Sequence, residues 1–306
     1  VKEPWVQYYL LPQIEKIGQS GKQAKTEILA DTRIQGLIAN CLQWPLPDLK
    51  RHNDAVHPIH QMQMLFDFGL DGNEECIQEI AEKILAHQDE NHAFLSTILI
   101  PKAFGGSDQS ELSWLMCDFP LLLHFLIQAG YGQQPAVKAG IELLVNLADD
   151  NGWRCKGAIP KFHGPGKKAD FCPFATLISL KVFSGLPEYH QESFIQNALD
   201  SLFWHWEHTD ERKIYMFAMG THFQRLKYPL VWYDIVNVCS TLSWYEQARR
   251  HPVFQQMVEI IVKKQQPAGG FIPESIFMAY KGWGFGQKKV ASPLLTLKIV
   301  EMMERL

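Results

Sequence analysis

Long apolar runs are missing from this chain. The longest, over Leu121–Ile127, is interrupted by His124 and followed by Gln128. That is far short of the roughly 20 residues a membrane-spanning helix needs. A basic excess is missing too: the formal net charge is −4 over 306 residues. The global positive field of a nucleic-acid-binding protein is thereby excluded. Cysteine is sparse and scattered, at Cys41, Cys76, Cys117, Cys155, Cys172 and Cys239, with no Cys-x2-Cys spacing. This argues against a disulfide frame and for reduced thiols in a cytoplasmic setting. No segment alternates strongly enough to compete as a strand; 215–217 and 270–272 are at most short extended pieces. The chain opens on Val1 rather than a start methionine, so the native N-terminus is expected to precede it and no targeting signal can be read.

What the chain does have is apolar residues at helical spacing. Hydrophobic residues make up 46% and aromatic ones 12%, including nine Trp, enough for a large core or an aromatic-lined cavity. A first helix is expected over 4–18, two short ones over 23–29 and 32–42, with Asp31 capping the second. Trp44-Pro45-Leu46-Pro47 stops them. From His57 a unit recurs: a helix start, usually marked by proline, an apolar helix, a turn, an amphipathic helix, and a polar loop closing on an aromatic. Copies run over 57–94, 117–153, from Cys172 through the segment ending HTD, and over 232–271. The closing aromatics keep register, with Phe94 and Trp153 59 residues apart and Trp153 and Phe271 118 apart. A last apolar segment begins at Ser292. Twelve helices in pairs suit an all-α fold, an α6/α6 toroid in one domain over 1–306, with inner helices around a central cavity.

The inner helices should start at His57-Pro58, Cys117-Asp118, Asp170-Phe171-Cys172, Trp232-Tyr233-Asp234 and Ser292-Pro293, all at one mouth. Nucleophile and ligand types therefore recur there. Asp118, Asp170 and Ser292 are accounted for by helix capping, whereas a thiol is a poor cap and leaves Cys117 and Cys172 open. Buried structural thiols are the plainer alternative for both. The loop 152–176 adds Cys155, His163 and several lysines. Lys161, Lys167 and Lys168, with Lys288 and Lys289 before the last helix, are either solvated charges or an anion site beside helix N-termini. His57, His163, Trp232 and Tyr233 complete the expected substrate-binding set. His124, midway along an apolar helix, reads as a core or cavity histidine.

The segments QDENHAF (88–94) and QQPAGGF (265–271) resemble degenerate Gln-x3-Gly-x-Trp motifs of terpenoid cyclases, and DDNGW (149–153) the same turn without its glutamine. The organisation is similar to the superfamily of squalene-hopene cyclases and protein prenyltransferase β subunits; GPG-x5-CP, KYP-x2-WYD and GFGQKK-x2-SP segments suggest an uncharacterised bacterial branch. The resemblance implies an α/α toroid holding an isoprenoid or other anionic amphiphile, acted on by transfer or cyclisation. Cys172, Asp170, Asp234, Cys117 and Asp118 are the expected catalytic residues. The Asp-x-Cys at 170–172 resembles the prenyltransferase zinc motif, which implies zinc on Asp170 and Cys172, with His222 as the substitute third ligand. The Asp-x-Asp-Asp acid of class II cyclases and the Asp-Asp-x-x-Asp motif are both absent. A non-catalytic lipid binder, or a protein-interaction toroid, is therefore the alternative.

Overall fold

The computed structural model describes every residue except Val1, Lys2, Lys168, Tyr215 and Met216. Four N-terminal helices come first: α1 (Pro4–Leu10), α2 (Gln13–Lys16), α3 (Gln19–Ala30) and α4 (Thr32–Cys41). The single helix expected over 4–18 is broken at Leu11-Pro12, because proline lacks the amide needed to continue α1. Asp31 caps α4 as expected, accepting the Arg33 N–H at 2.9 Å.

Helix pairs follow: α5 (Pro58–Asp67) with α6 (Glu75–Leu85), α7 (Phe119–Leu126) with α8 (Pro135–Asn146), and α9 (Pro173–Ser184) with α10 (Ser193–Glu207). Then come α11 (Ile235–Leu242), the short α12 (Glu246–Arg249), α13 (Pro252–Val262) and a last helix, α14 (Pro293–Met303). Five of these, α5, α7, α9, α11 and α14, form a central series in which each packs on the next. Their sequences say why. Helix α7 is buried along its whole length and α9 at every position but Lys181, so both are wrapped by protein. The outer α6 buries only Ile77, Ile80, Ala81 and Ile84, a single stripe at helical spacing.

The repeat is visible in hydrogen bonds. His92, Gly152 and Gly269 all have positive φ (72°, 95° and 91°) in the turns before Phe94, Trp153 and Phe271, each of which is fully buried. Trp153 N–H donates to Thr176 Oγ1 at 3.0 Å, and Phe271 N–H to Thr296 Oγ1 at 2.9 Å. The aromatic carbonyls in turn accept the N–H groups of the next helix caps, Cys172 at 2.7 Å and Ser292 at 2.9 Å. The Trp153 and Phe271 turns are thus each pinned to the start of a central helix.

One expectation is corrected. The fold is mostly helical, but it contains an antiparallel hairpin, β1 (Ser96–Leu99) with β2 (Ser110–Ser113), in register Ser96↔Ser113 to Leu99↔Ser110. Alternation is visible in β1, where Ser96 and Ile98 are buried, but four residues are too few to stand out in sequence. Leu49 pairs with its edge, donating to Thr97 O at 2.7 Å and accepting from Leu99 N–H at 3.3 Å. No strand forms at 270–272, and Tyr215 and Met216 lie outside the described residues.

The chain ends meet beside α5. Lys298 of α14 pairs with Asp67 of α5 at 2.8 Å, and Tyr9 donates to Phe66 O at 3.2 Å. Trp5 packs against Phe68 and Trp283, while Glu3 accepts the Gly284 N–H at 3.0 Å.

Candidate functional site

Backbone pairing gathers three cysteines that are far apart in sequence. Met116 N–H donates to Lys156 O at 2.9 Å and Leu115 bridges Gly157, which sets Cys117 beside Cys155. The bond from Cys172 N–H to Trp153 O brings the third thiol to the same place. The three thiols lie close enough to shift one another's titration, and all are free. Cys117 and Cys172 are buried, while Cys155 is half-buried.

Cys172 is the N-cap of α9. Its Sγ accepts the Ala175 N–H at 3.5 Å, as Ser292 Oγ accepts the Leu295 N–H at 3.3 Å on α14. The thiol thus caps its helix, contrary to the expectation that capping leaves Cys172 unexplained. Hydrogen bonds from the Cys117 and Cys155 thiols, aided by the amides of α9, hold Cys172 well below the usual thiol range despite its burial. Cys117 is correspondingly pushed well above that range. Of the three, Cys172 is therefore the thiol most inclined to ionise.

These sulfurs line a cavity of about 500 Å³. Its apolar walls include Phe174 and Trp232, whose rings lie 4.5 Å apart, with Phe217 5.2 Å from Trp232. The hairpin and its tip contribute Leu99, Ile100 and Phe104. Gly105 at that tip (φ 85°) approaches the Lys161 carbonyl so closely that a Cβ would collide with it. His163 N–H donates to Phe104 O at 3.1 Å, fastening loop 161–165 as the opposite wall. Polar contributions come from Lys50, His52 and His163. Burial pushes His52 down to about 4, and its Nδ1 has no hydrogen-bond partner. No carboxylate lines this cavity among the described residues.

Of the residues singled out in sequence, Cys117, Cys172, His163 and Trp232 meet at this cavity. The others stand elsewhere. His57 caps α5 through Nδ1, accepting the Ile59 N–H at 3.3 Å, and its Nε2 bonds Pro47 O at 2.9 Å. Asp118 is fully buried, accepting from Leu115 N–H, Phe119 N–H and Ser96 Oγ–H, and burial raises it to about 6. Asp234 caps α11 through the Asn237 N–H at 3.0 Å, faces Lys227 at 3.7 Å, and is likewise raised to about 6 by burial. Tyr233 is buried behind Phe217, with its hydroxyl 3.2 Å from His205 Nδ1. Lys161, Lys167, Lys288 and Lys289 are exposed and line neither this cavity nor the polar one described below. Lys168 lies outside the described residues.

The zinc set does not gather. Asp170 accepts the Lys167 N–H at 3.0 Å and pairs with Arg212, while His222 is exposed and bonds Arg225 at 3.3 Å. Among the described residues no group of three or more His, Cys, Asp or Glu side chains is arranged to hold a metal ion. Cys155, in loop 152–176, also lines the cavity, whereas His52 and Lys50 carry no sequence signal: they sit in an irregular segment with neither motif nor period. Compared with protein-family models and with curated proteins, the chain matches none.

Proposed function

We propose that this chain is a terpenoid-cyclase- or prenyltransferase-like α/α toroid, its ring closed between α14 and α5. In this reading it takes the apolar tail of an isoprenoid-type amphiphile into the thiol-lined cavity, where the Cys172 thiolate is the reacting group. The observation that carries the reading is the meeting of Cys117, Cys155 and Cys172 on an otherwise apolar wall, with Cys172 at a helix N-terminus that favours its ionised form. A thiolate is a strong nucleophile, so the chemistry that suits it is transfer. Sulfur bonds to an electrophilic carbon of the ligand as the leaving group departs with the electron pair. Protonation-initiated cyclisation suits the cavity less well, since no carboxylate lines it among the described residues. That same observation favours a second reading, a binder without turnover. Ring closure is supported by the Lys298–Asp67 pair and the meeting of the two chain ends.

Magnitudes are modest. At roughly 0.3 kcal/mol per non-hydrogen atom, a tail of about fifteen carbons contributes ~4.5 kcal/mol, a sub-millimolar Kd. Lys50 at the wall, with the exposed Lys161 and Lys167 on the adjoining loop, would add charge-assisted contacts to a diphosphate head. Calorimetry with prenyl alcohols and diphosphates of increasing length tests this. Affinity should rise with chain length and be greater for the diphosphate; absence of binding by both series refutes the proposal. Product analysis by mass spectrometry then separates transfer from binding alone.

A further inference from the structure

A second cavity, of about 330 Å³, lies among the later turns of the central helices and is chemically opposite to the first. All five central helices line it: His60 and Asp67 from α5, His124 from α7, Lys181 from α9, Thr241 from α11, and Lys298 from α14. Arg305, just past α14, also faces it.

The two lysines differ in their partners. Lys298 is neutralised by Asp67 at 2.8 Å and Glu301 at 2.7 Å. Lys181 donates to Asn237 Oδ1 at 2.8 Å and makes no ion pair among the described residues. Burial lowers it to about 8, although Asp67 and Asp234 pull the other way. Asn237 cannot swing aside, because its own amide is anchored on Trp232 O at 2.7 Å. Arg305 stacks on Trp244 at 4.5 Å and bonds Ser243 Oγ and Ser240 O but no carboxylate among the described residues, and burial lowers it as well.

The same walls carry buried polar atoms without partners: His124 Nδ1, Ser240 Oγ and Thr241 Oγ1. His124 is only 9% exposed and Thr241 2%. Burial holds His124 neutral, down to about 3, so it can donate one hydrogen bond. Carbonyl ends of the surrounding helices reduce the cost of a cation here and oppose an anion, so an anion would have to be held directly by the cations. Buried polar groups left unsatisfied are rare and need a partner, and the half-buried Lys181 and Arg305 gain from a counter-charge beside them.

From this cavity we infer a second ligand site, for a compact anion, a carboxylate or phosphate group, held by Lys181 and Arg305 with hydrogen bonds from His124, Ser240 or Thr241. It is independent of the thiol-lined cavity and of the isoprenoid reading. The fold supplies one donor from each of several helices, so a bound anion would also tie neighbouring turns together and stabilise the chain.

Two probes test it, inorganic phosphate and succinate, by calorimetry and by melting temperature against chloride at matched ionic strength. At least one probe should bind wild type and raise its melting temperature. Lys181→Met should weaken that binding by about ten-fold or more, and Lys181→Arg, which keeps the charge, much less. Thr241→Val, which leaves every cation in place, should weaken it by roughly three-fold. Failure of both probes to bind wild type, or undiminished binding by Lys181→Met and Thr241→Val, overturns the inference. If Lys181→Met does not fold, the Thr241→Val and Lys181→Arg pair decides. Cys172 labelling, run alongside, should be unchanged in every variant, which separates this site from the first.

Discussion

Replacing Cys172 by serine and by alanine should give opposite orders of stability depending on what the sulfur does. The repeat supplies the control: at the equivalent position of α14, Ser292 caps the helix with its hydroxyl. Cys172→Ser should therefore keep a cap on α9. Cys172→Ala removes the acceptor of the Ala175 N–H, which is worth about 1 kcal/mol. In a chain of this size that is a fall of roughly 2 °C in melting temperature. The expected order is thus serine above alanine. Were Cys172 only an apolar filler of a wall where it is 3% exposed, serine would bury an unneeded hydroxyl and alanine would be milder. Chemical labelling reports the thiolate separately. An ordinary thiol, with its pKa near 9, is about 0.3% ionised at pH 6.5, and the lowering at Cys172 raises its ionised fraction above that. Iodoacetamide should then modify wild type at that pH faster than either variant. Alanine melting above serine, together with unchanged labelling at pH 6.5, would refute the assignment of cap and thiolate to Cys172.

Acid should destabilise the fold. His60, His124 and His205 are buried and lowered to about 3, 3 and 4, so the stability they contribute is complete above pH 6.5 and lost as pH falls toward those values. Asp118 and Asp234, raised to about 6, act the other way, contributing more as pH falls through 6. At pH 5 these histidines, with His52, forfeit more than the two aspartates regain, so the protein should be less stable than at pH 7; a flat urea-denaturation midpoint between these pH values would contradict the burial of the histidines. Lys298→Met leaves Asp67 and Glu301 uncompensated between α14 and α5 and should cost about 3 kcal/mol, with a smaller loss when Asp67→Asn is added. Asp170→Asn frees Arg212 and should lower the melting temperature by a few degrees at about 1–2 kcal/mol without changing Cys172 labelling at pH 6.5; a large change in labelling would tie Asp170 to the thiol chemistry.

Helices and their starts were legible because period and punctuation agree. The expected starts at His57, Cys117, Cys172, Trp232 and Ser292 fall within about three residues of the observed first turns, marked by a capping residue and, in all but α11, by proline. The spacing of Phe94, Trp153 and Phe271 corresponds to a shared turn with positive φ, which even His92 adopts where glycine serves the other two. The hairpin was not legible, since two four-residue strands carry too few alternations, and with it went the wall that Leu99, Ile100 and Phe104 give the apolar cavity. Cys117 and Cys172 were visible as thiols at helix starts, but their contact with Cys155 depends on pairing 115–116 with 156–157, which no local pattern announces. Lys181 is a lone cation in an apolar helix and carried a signal that could have been read: such a residue faces either solvent or a cavity. Its separation from any carboxylate is a tertiary fact.

The most direct measurement is peptide-mapped alkylation of the six cysteines at pH 6.5, with and without saturating farnesyl diphosphate. Cys172 should be the thiol modified first, through the apolar cavity, and the prenyl ligand should protect it while leaving the half-buried Cys76 unaffected. Modification of Cys76 ahead of Cys172, or Cys172 labelling that the ligand does not slow, would contradict a reactive thiolate in a prenyl-binding cavity.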